Sequence, residues 1–534
     1  MLLSSCSCSD DILMTQAKLE QKSWNDTIKL LLKPQVLTML FLGFSAGIPF
    51  SLIFSSLSLW LNEAGIAKST VTYFSWAGLA FSFKFFWAPI IDRIPVPVFS
   101  RMLGRRRGWL LTAQLLVIVS ILSMGSINPL AAEDSLTLMA FGAMFLGFSA
   151  ATQDIVIDAY RIEVAEPEIQ GVLSSTYFTG YRVAMIISGA GAIYLAGELG
   201  STKGNYSYDA WRSTYYVMAL IMLIGVITTF CIREPERIEK LKTSYSNKQY
   251  ISFLVFFAVC VGMLVFTYIS SSSFVSELKL TLGELVGNTA LSNFIGEVIQ
   301  LVFSLFVVVI FAMLLNKLGL LERELVKENY YSPVKDFFDR YGFNLAFLLL
   351  VFIGFYRISD IVLGVIANVF YQDIGYSKAE IATVSKTFGV VMMILGSFVG
   401  GLFSIRYGVM KILMLGGALI VLTNFLFMVL ASVGYDITLL YFVISADNLA
   451  AGIATAAFLS FLASITNVSF TAVQYAIFSS LMTLIPKIIG GYSGSIVENV
   501  GYSNFFLIAS LLGVPVLFLI VILNRKLDLK IKLD

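Results

Sequence analysis

Residues 136–160 read LTLMAFGAMFLGFSAATQDIVIDAY, from Leu136 to Tyr160, and no charge appears before Asp154. Apolar residues cover every face of this run, not one 3.6-residue stripe. Its length is enough to cross about 30 Å of hydrocarbon as a helix. In hydrocarbon each backbone N–H and C=O must find its partner within the segment, so a run of this kind is helical. It is too long and too uniformly apolar for a barrel strand.

Runs like this recur along the chain. The 534 residues are 58% hydrophobic and 13% charged, against about 45–50% and about 25% in soluble domains. The spans expected are 36–61, 70–91, 109–128, 136–160, 171–197, 212–232, 251–272, 295–316, 343–370, 379–404, 409–431, 438–463, 470–497 and 502–523. The fold class expected is an all-α polytopic membrane protein.

The loops between these spans alternate in Lys and Arg content. One set holds the N-terminal lysines, Arg93, Arg101, Arg105–Arg107, Arg161, the 233–248 and 317–340 stretches, Arg406, Lys411 and the C-terminal lysines. The other set holds only Lys68, Lys203, Arg212, Lys279 and Lys378. The positive-inside rule puts the first set, and with it both termini, in the cytoplasm. Spans seven and eight look inserted between charged stretches. Without them the chain is six spans, a linker and six spans, the repeat arrangement of major facilitator proteins. The division expected is a cytoplasmic tail (1–35), a first half (36–232), a linker with two inserted spans (233–342), a second half (343–523) and a cytoplasmic tail (524–534). An internal echo accompanies the repeat. Asp92-Arg93 and Gly104-Arg105-Arg106-Arg107 follow span two, and Gly401 to Gly408, with Arg406 and Lys411, stand at the equivalent place in the second half.

Several classes are excluded or disfavoured. The net charge of +2 gives no footprint for nucleic acid, and the absence of histidine removes His-based catalysis, zinc sites and proton relays. The four cysteines, Cys6, Cys8, Cys231 and Cys260, show no metal-ligand framework. No cofactor is expected. The polar first 35 residues lack the order of a signal peptide. Ser4-Ser5-Cys6 faintly resembles a lipoprotein site without the apolar region one needs, and Met14 is an alternative start.

Charges inside spans cost about 2.5–3.5 kcal/mol each at a helix centre and mark pathways. Gln153, Asp154 and Asp158 lie in span four, with the two acids one turn apart on one helix face. Their repulsion favours a proton on one of them; for Asp158, a latch to Arg161 is the structural alternative. Arg182, at mid-depth in span five, either binds an anionic solute group or neutralises Asp154. Arg357 and Asp360, three apart, can pair within one helix, and Asp447 precedes Asn448 in the fourth span of the second half. Lys84, Lys386, Gln474 and Lys487 are further polar groups within spans, and some of these lysines are expected only to snorkel to an interface. Span one offers a small polar stripe of Gly43, Ser45, Gly47, Ser51 and Ser55, with Pro49 a source of a kink.

Specific strings carry a family resemblance. These are Leu42 to Pro49, Lys84 to Arg93, Gly104-Arg-Arg-Arg-Gly-Trp109, Ser149 to Ala159 with Gln153-Asp154-Ile-Val-Ile-Asp158, Arg357-Ile-Ser-Asp360, Ser385 to Gly389, and Asn467 to Ala476. Over about 36–233 and 333–520 the chain resembles AmpG-type muropeptide permeases of the major facilitator superfamily. The resemblance implies proton-driven import of anhydro-muropeptides, large anionic glycopeptides, across a bacterial inner membrane. It places Gln153 and Asp154 on the substrate or proton path, with Arg182 and Arg357 as cations and Tyr160, Tyr181 and Tyr356 as aromatics in the cavity. It makes Asp92, Arg93, Gly104 and Arg105–Arg107 a loop that helps to hold one gating state. The fold also implies that helices bearing Asp154, Asp360 and Asp447 line the central route. Two features depart from the pattern: the extra spans sit between the halves instead of at the C-terminus, and Asp447 stands where the pattern has Glu. Partners expected are a small solute, protons and lipid, with the chain acting as a monomer. A same-fold carrier of another anionic solute is the first alternative. An enzyme or a non-transporting receptor comes last, because neither catalytic motif nor sizeable soluble domain is visible.

Overall fold

A computed structural model describes residues 33–66, 74–132, 134–166, 169–202, 205–235, 247–286, 289–317, 327–490 and 493–533. The N-terminal tail, with Cys6 and Cys8, lies outside them. Among the described residues, eleven helices are long and apolar enough to cross a membrane. The first half contains α1 (Pro34–Glu63), α2 (74–93), α3 (Arg105–Ser126), α4 (Ser135–Glu163), α5 (Gln170–Glu198) and α6 (Tyr208–Cys231). The linker contains α7 (Asn247–Ser270), α8 (Ser272–Val286) and α9 (Thr289–Lys317). The second half contains α10 (Ser332–Ile374), α11 (Ala382–Tyr407), α12 (Val409–Val433), α13 (Ile437–Ile465), α14 (Thr471–Gly490) and α15 (Ser493–Leu533).

Two expectations change. The second span is not one smooth helix; it passes through 3₁₀ turns at Phe74–Gly78 and Lys84–Phe86. The linker holds a third helix, α8, packed on α9 between the two expected ones. α8 has its own Glu277, Lys279 and Glu284, which hid it from a reading by hydropathy.

Apolar side chains such as Phe141 on α4, Ile227 on α6, Leu422 on α12 and Phe518 on α15 point outward and are exposed, as lipid-facing groups must be. Within each half the same helix pairs pack: α1 with α5 and α10 with α14, α2 with α4 and α11 with α13, α3 with α6 and α12 with α15. Small residues allow this closeness. A Cβ on Gly43 would lie 2.0 Å from the Tyr177 carbonyl oxygen, and one on Gly180 would lie 1.9 Å from that of Leu40. The turn echo is also structural. Gly104 (φ 94°, ψ 173°) starts α3 and Gly408 (φ 88°, ψ 148°) starts α12, in a region of φ that only glycine enters freely.

Breaks fall where polar groups gather. In α1 a π-turn at Leu52–Ser56 follows Pro49, as expected when a residue without an N–H disturbs the ladder. α10 bends at Gly342 (φ 70°) and breaks again at Tyr356-Arg357, so Asp360 lies in the first turn of a new helical segment. One apolar core fills the second half, and another fills the outer part of the first half. A third joins the first half to Ile405, Ala472 and Ala476 of the second.

Candidate functional site

One charge cluster, a buried lysine between two half-buried acids, is built on α2 and α4. Trp87-Ala-Pro89 begins a fresh helical turn after the 3₁₀ stretch, and that irregularity aims Lys84 inward. Its Nζ lies 3.1 Å from Asp154 Oδ2 and 3.3 Å from Asp158 Oδ2. Only 4% of Lys84 is exposed, so it is not among the lysines that snorkel. Each acid has a further partner. Tyr177 of α5 donates to Asp154 Oδ1 at 2.7 Å, and Arg161 reaches Asp158 Oδ1 at 3.4 Å. The expected repulsion between the acids is therefore met by a lysine between them, and the Asp158–Arg161 pair is the longer of the Asp158 contacts. Gln153, fully buried, donates to Ser45 Oγ of α1 and leaves its own carbonyl oxygen without a partner.

A second group of charges lies on α5, α10 and α13. Arg357 and Asp360 form an ion pair across the break in α10. Arg182 on α5 lies within electrostatic reach of both, and Asp447 on α13 lies within reach of Arg357 and Asp360. Asp447 accepts from Thr423 Oγ1 at 3.2 Å. The Nε atoms of Arg182 and Arg357 are buried without a hydrogen-bond partner. Arg182 makes no ion pair with Asp154; its guanidinium instead stands over the Phe178 ring at 5.7 Å. Each guanidinium thus has a spare donor that an anionic oxygen can accept from.

The predicted loop residues gather at the basic end. Arg106 NH2 lies 2.7 Å from Asp92 Oδ1, and Nε lies 2.9 Å from Glu163 Oε2. Asp92 also accepts from the Ala472 and Val473 amides at the start of α14, at 3.2 and 3.0 Å. Thr471 bonds to both Arg106 NH2 (2.8 Å) and Glu163 Oε1 (2.5 Å). Glu234 accepts from the Arg106 and Arg107 amides at 2.8 and 3.0 Å, and Arg105 donates to the Asp92 carbonyl. Arg93 ends a helical turn of α2; its side chain lies outside the described residues. Two further bonds join the halves: Arg161 NH2 to Tyr475 OH at 2.6 Å and Ser175 Oγ to the Ser397 carbonyl at 2.5 Å. All these inter-half bonds sit toward the basic end.

Sequence reasoning missed Glu163, Glu234, Thr471 and Tyr475, and named Lys84 without its partners. Lys84 carried a signal, since a lysine deep in an apolar run one helix away from two acids invites pairing. Thr471 and Tyr475 carried none, because only the packing of the halves brings them to Arg106 and Arg161. Lys487 is exposed; the side chain of Lys386 lies outside the described residues.

The comparisons with known proteins agree with this architecture. The sequence profile of the Major Facilitator Superfamily matches residues 39–326. A Rickettsia conorii chain bearing the transporter name AmpG 4 is 30% identical, over 91% of this chain and 96% of its own length. The anhydromuropeptide permease of Escherichia coli K12 is 27% identical, over 94% of this chain and 82% of its own. Among solved structures, the proton:xylose symporter XylE has a TM-score of 0.55 at 12% identity, covering 91% of this chain and 94% of its own. The human organic anion transporter MFSD10 has a TM-score of 0.53 at 12% identity, covering 91% and 100%; at such identities both speak for the fold alone. This chain belongs to the Major Facilitator Superfamily as an AmpG-type transporter, a multi-pass membrane protein that moves a small-molecule solute and is not an enzyme.

Proposed function

We propose that the chain imports anhydro-muropeptides from periplasm to cytoplasm, driven by protons, with both termini cytoplasmic in a bacterial inner membrane. The observation that carries the proton part is the buried Lys84–Asp154–Asp158 cluster. One helical turn apart, the two acids repel each other, and a proton on one of them relieves that repulsion. The name of the Escherichia coli relative supports the solute class. Arg182 and Arg357 supply cations for a carboxylate of the peptide stem, and Asp360 and Asp447 stand beside them. With the basic loops inside, the seam of inter-half bonds closes the cytoplasmic side. That arrangement faces outward, ready to receive solute from the periplasm.

The test is uptake of labelled anhydro-muropeptide into proteoliposomes with and without an inward proton gradient. Gradient-dependent accumulation is expected, and Asp154→Asn and Asp360→Asn are each expected to abolish it while the protein still inserts. Normal accumulation by both variants would remove the proton role. The Arg182–Arg357 pair would serve other organic anions equally well, so a panel of anionic solutes in the same vesicles decides the cargo.

A further inference from the structure

The charge cluster does not end within the first half. Arg161 sits three residues after Asp158, on the basic side of α4, and only 1% of it is exposed. Its NH2 reaches Asp158 Oδ1 at 3.4 Å and donates to Tyr475 OH of α14 at 2.6 Å. Its guanidinium carbon lies 5.2 Å from the centre of the Tyr475 ring, and its NH1 donates to Ser174 Oγ. Tyr475 belongs to the same first turns of α14 whose amides bind Asp92. One guanidinium therefore bridges the acid cluster and the helix that closes the basic end.

We infer that Arg161 is the positioning residue that transmits the protonation state of the Lys84–Asp154–Asp158 cluster to the gate helix α14. The groups facing the acids are Lys84 from α2, Arg161 from α4, Tyr177 and Tyr181 from α5, and Tyr475 from α14. Two cations and two carboxylates balance. A proton added to either acid leaves one buried positive charge without a counter-charge, a state that costs several kcal/mol in a low-dielectric interior. Lys84 touches both acids and keeps one carboxylate whichever is protonated, whereas Asp158 is the one carboxylate that Arg161 touches among the described residues. Relief therefore comes from Arg161 leaving its seat. That movement breaks its bonds to Tyr475 and Ser174 and loosens α14 from α4. Proton loading thus favours opening of the end that the seam holds shut, the order that import needs.

The inference rests on the proton reading of the cluster proposed above, and its test is independent of the cargo. Spin labels at exposed Met102 and Lys411, one on each half's basic turn, report the separation of the halves in purified full-length protein with its native thiols replaced and no solute present. In the parent protein the long-distance population is expected to grow from mildly alkaline to mildly acidic pH. Asp158→Asn is expected to show it already at alkaline pH, and Arg161→Gln is expected to lose the pH response. Tyr475→Phe keeps the ring but removes the acceptor, and is expected to enlarge the long-distance population at every pH. A pH-invariant parent, or a parental response in Arg161→Gln, overturns the inference. Should Arg161→Gln fail to fold, an unchanged population in Tyr475→Phe overturns it as well. Intact muropeptide uptake alongside pH-invariant distances would sink this inference alone; absent uptake alongside a normal pH response would sink only the cargo.

Discussion

Lys84 shows how one side chain sets the character of a membrane site. Two carboxylates one helical turn apart are unfavourable in a buried place until a cation stands between them, and the 3.1 and 3.3 Å contacts supply it. Removing only the lysine strands both acids. Lys84→Met is expected to destabilise the protein by about 3–5 kcal/mol, seen as a fall in thermal unfolding temperature in detergent and lost uptake. Removing an acid along with the lysine leaves less uncompensated charge. The Lys84→Met/Asp158→Leu double variant is expected to regain part of that stability without regaining transport. A double variant no more stable than Lys84→Met would mean that the pairing is not what holds this region.

Among the elements, α14 is where the first half grips the second. Its Ala472 and Val473 amides face the Asp92 carboxylate, the favoured place for an anion beside a helix N-terminus. Asp92→Asn keeps the shape and removes the charge. It is expected to weaken the seam by about 1–2 kcal/mol, read as faster thiol labelling at the basic ends of α4 and α14. On the other side of the same turn, Gln474 and Asn467 bond to Asp336 of the linker-side segment of α10, each at 2.9 Å. The first turn of α14 is thus held from two directions. The α1–α5 contact is a different kind of joint, made by backbone approaching backbone. Gly180→Leu is expected to drive α1 and α5 apart and to lower the yield of folded protein sharply, since a Cβ there already meets the Leu40 carbonyl at 1.9 Å. Normal expression with parental thermal stability would contradict that packing.

At the scale of the whole molecule, the bonds between the two halves gather toward one end, the basic one. Near the basic end α5 meets α11 through two glycines: a Cβ on Gly171 would lie 3.0 Å from the Gly401 carbonyl oxygen. A bulky residue there wedges the closed end. Gly171→Leu is expected to shift the population toward the arrangement open at the basic end, which the proposed orientation puts in the cytoplasm. The measurement is labelling of engineered thiols by a membrane-impermeant reagent in right-side-out and inverted vesicles. Labelling of the basic end should rise in inverted vesicles, and labelling of the opposite end should fall in right-side-out ones; unchanged labelling at both ends would place the closing contact elsewhere.

The amino-acid sequence by itself determined the helical, membrane-spanning class and singled out the candidate acids and arginines. Those properties are local: hydrophobic length, charge within an apolar run, and loop basicity are each read from neighbours in the chain. Even the repeat at Gly104 and Gly408 was visible, because a positive φ leaves a glycine behind. Only the tertiary structure decided who pairs with whom. Lys84 looked like a lysine seeking an interface until a 3₁₀ turn in α2 aimed it at Asp154 and Asp158. Arg161 looked like the end of a helix until α14, more than three hundred residues later in the chain, brought Tyr475 to it. Pairings of this kind depend on how separate helices pack, and a one-dimensional pattern holds no record of which distant residue will occupy the other side of a buried charge.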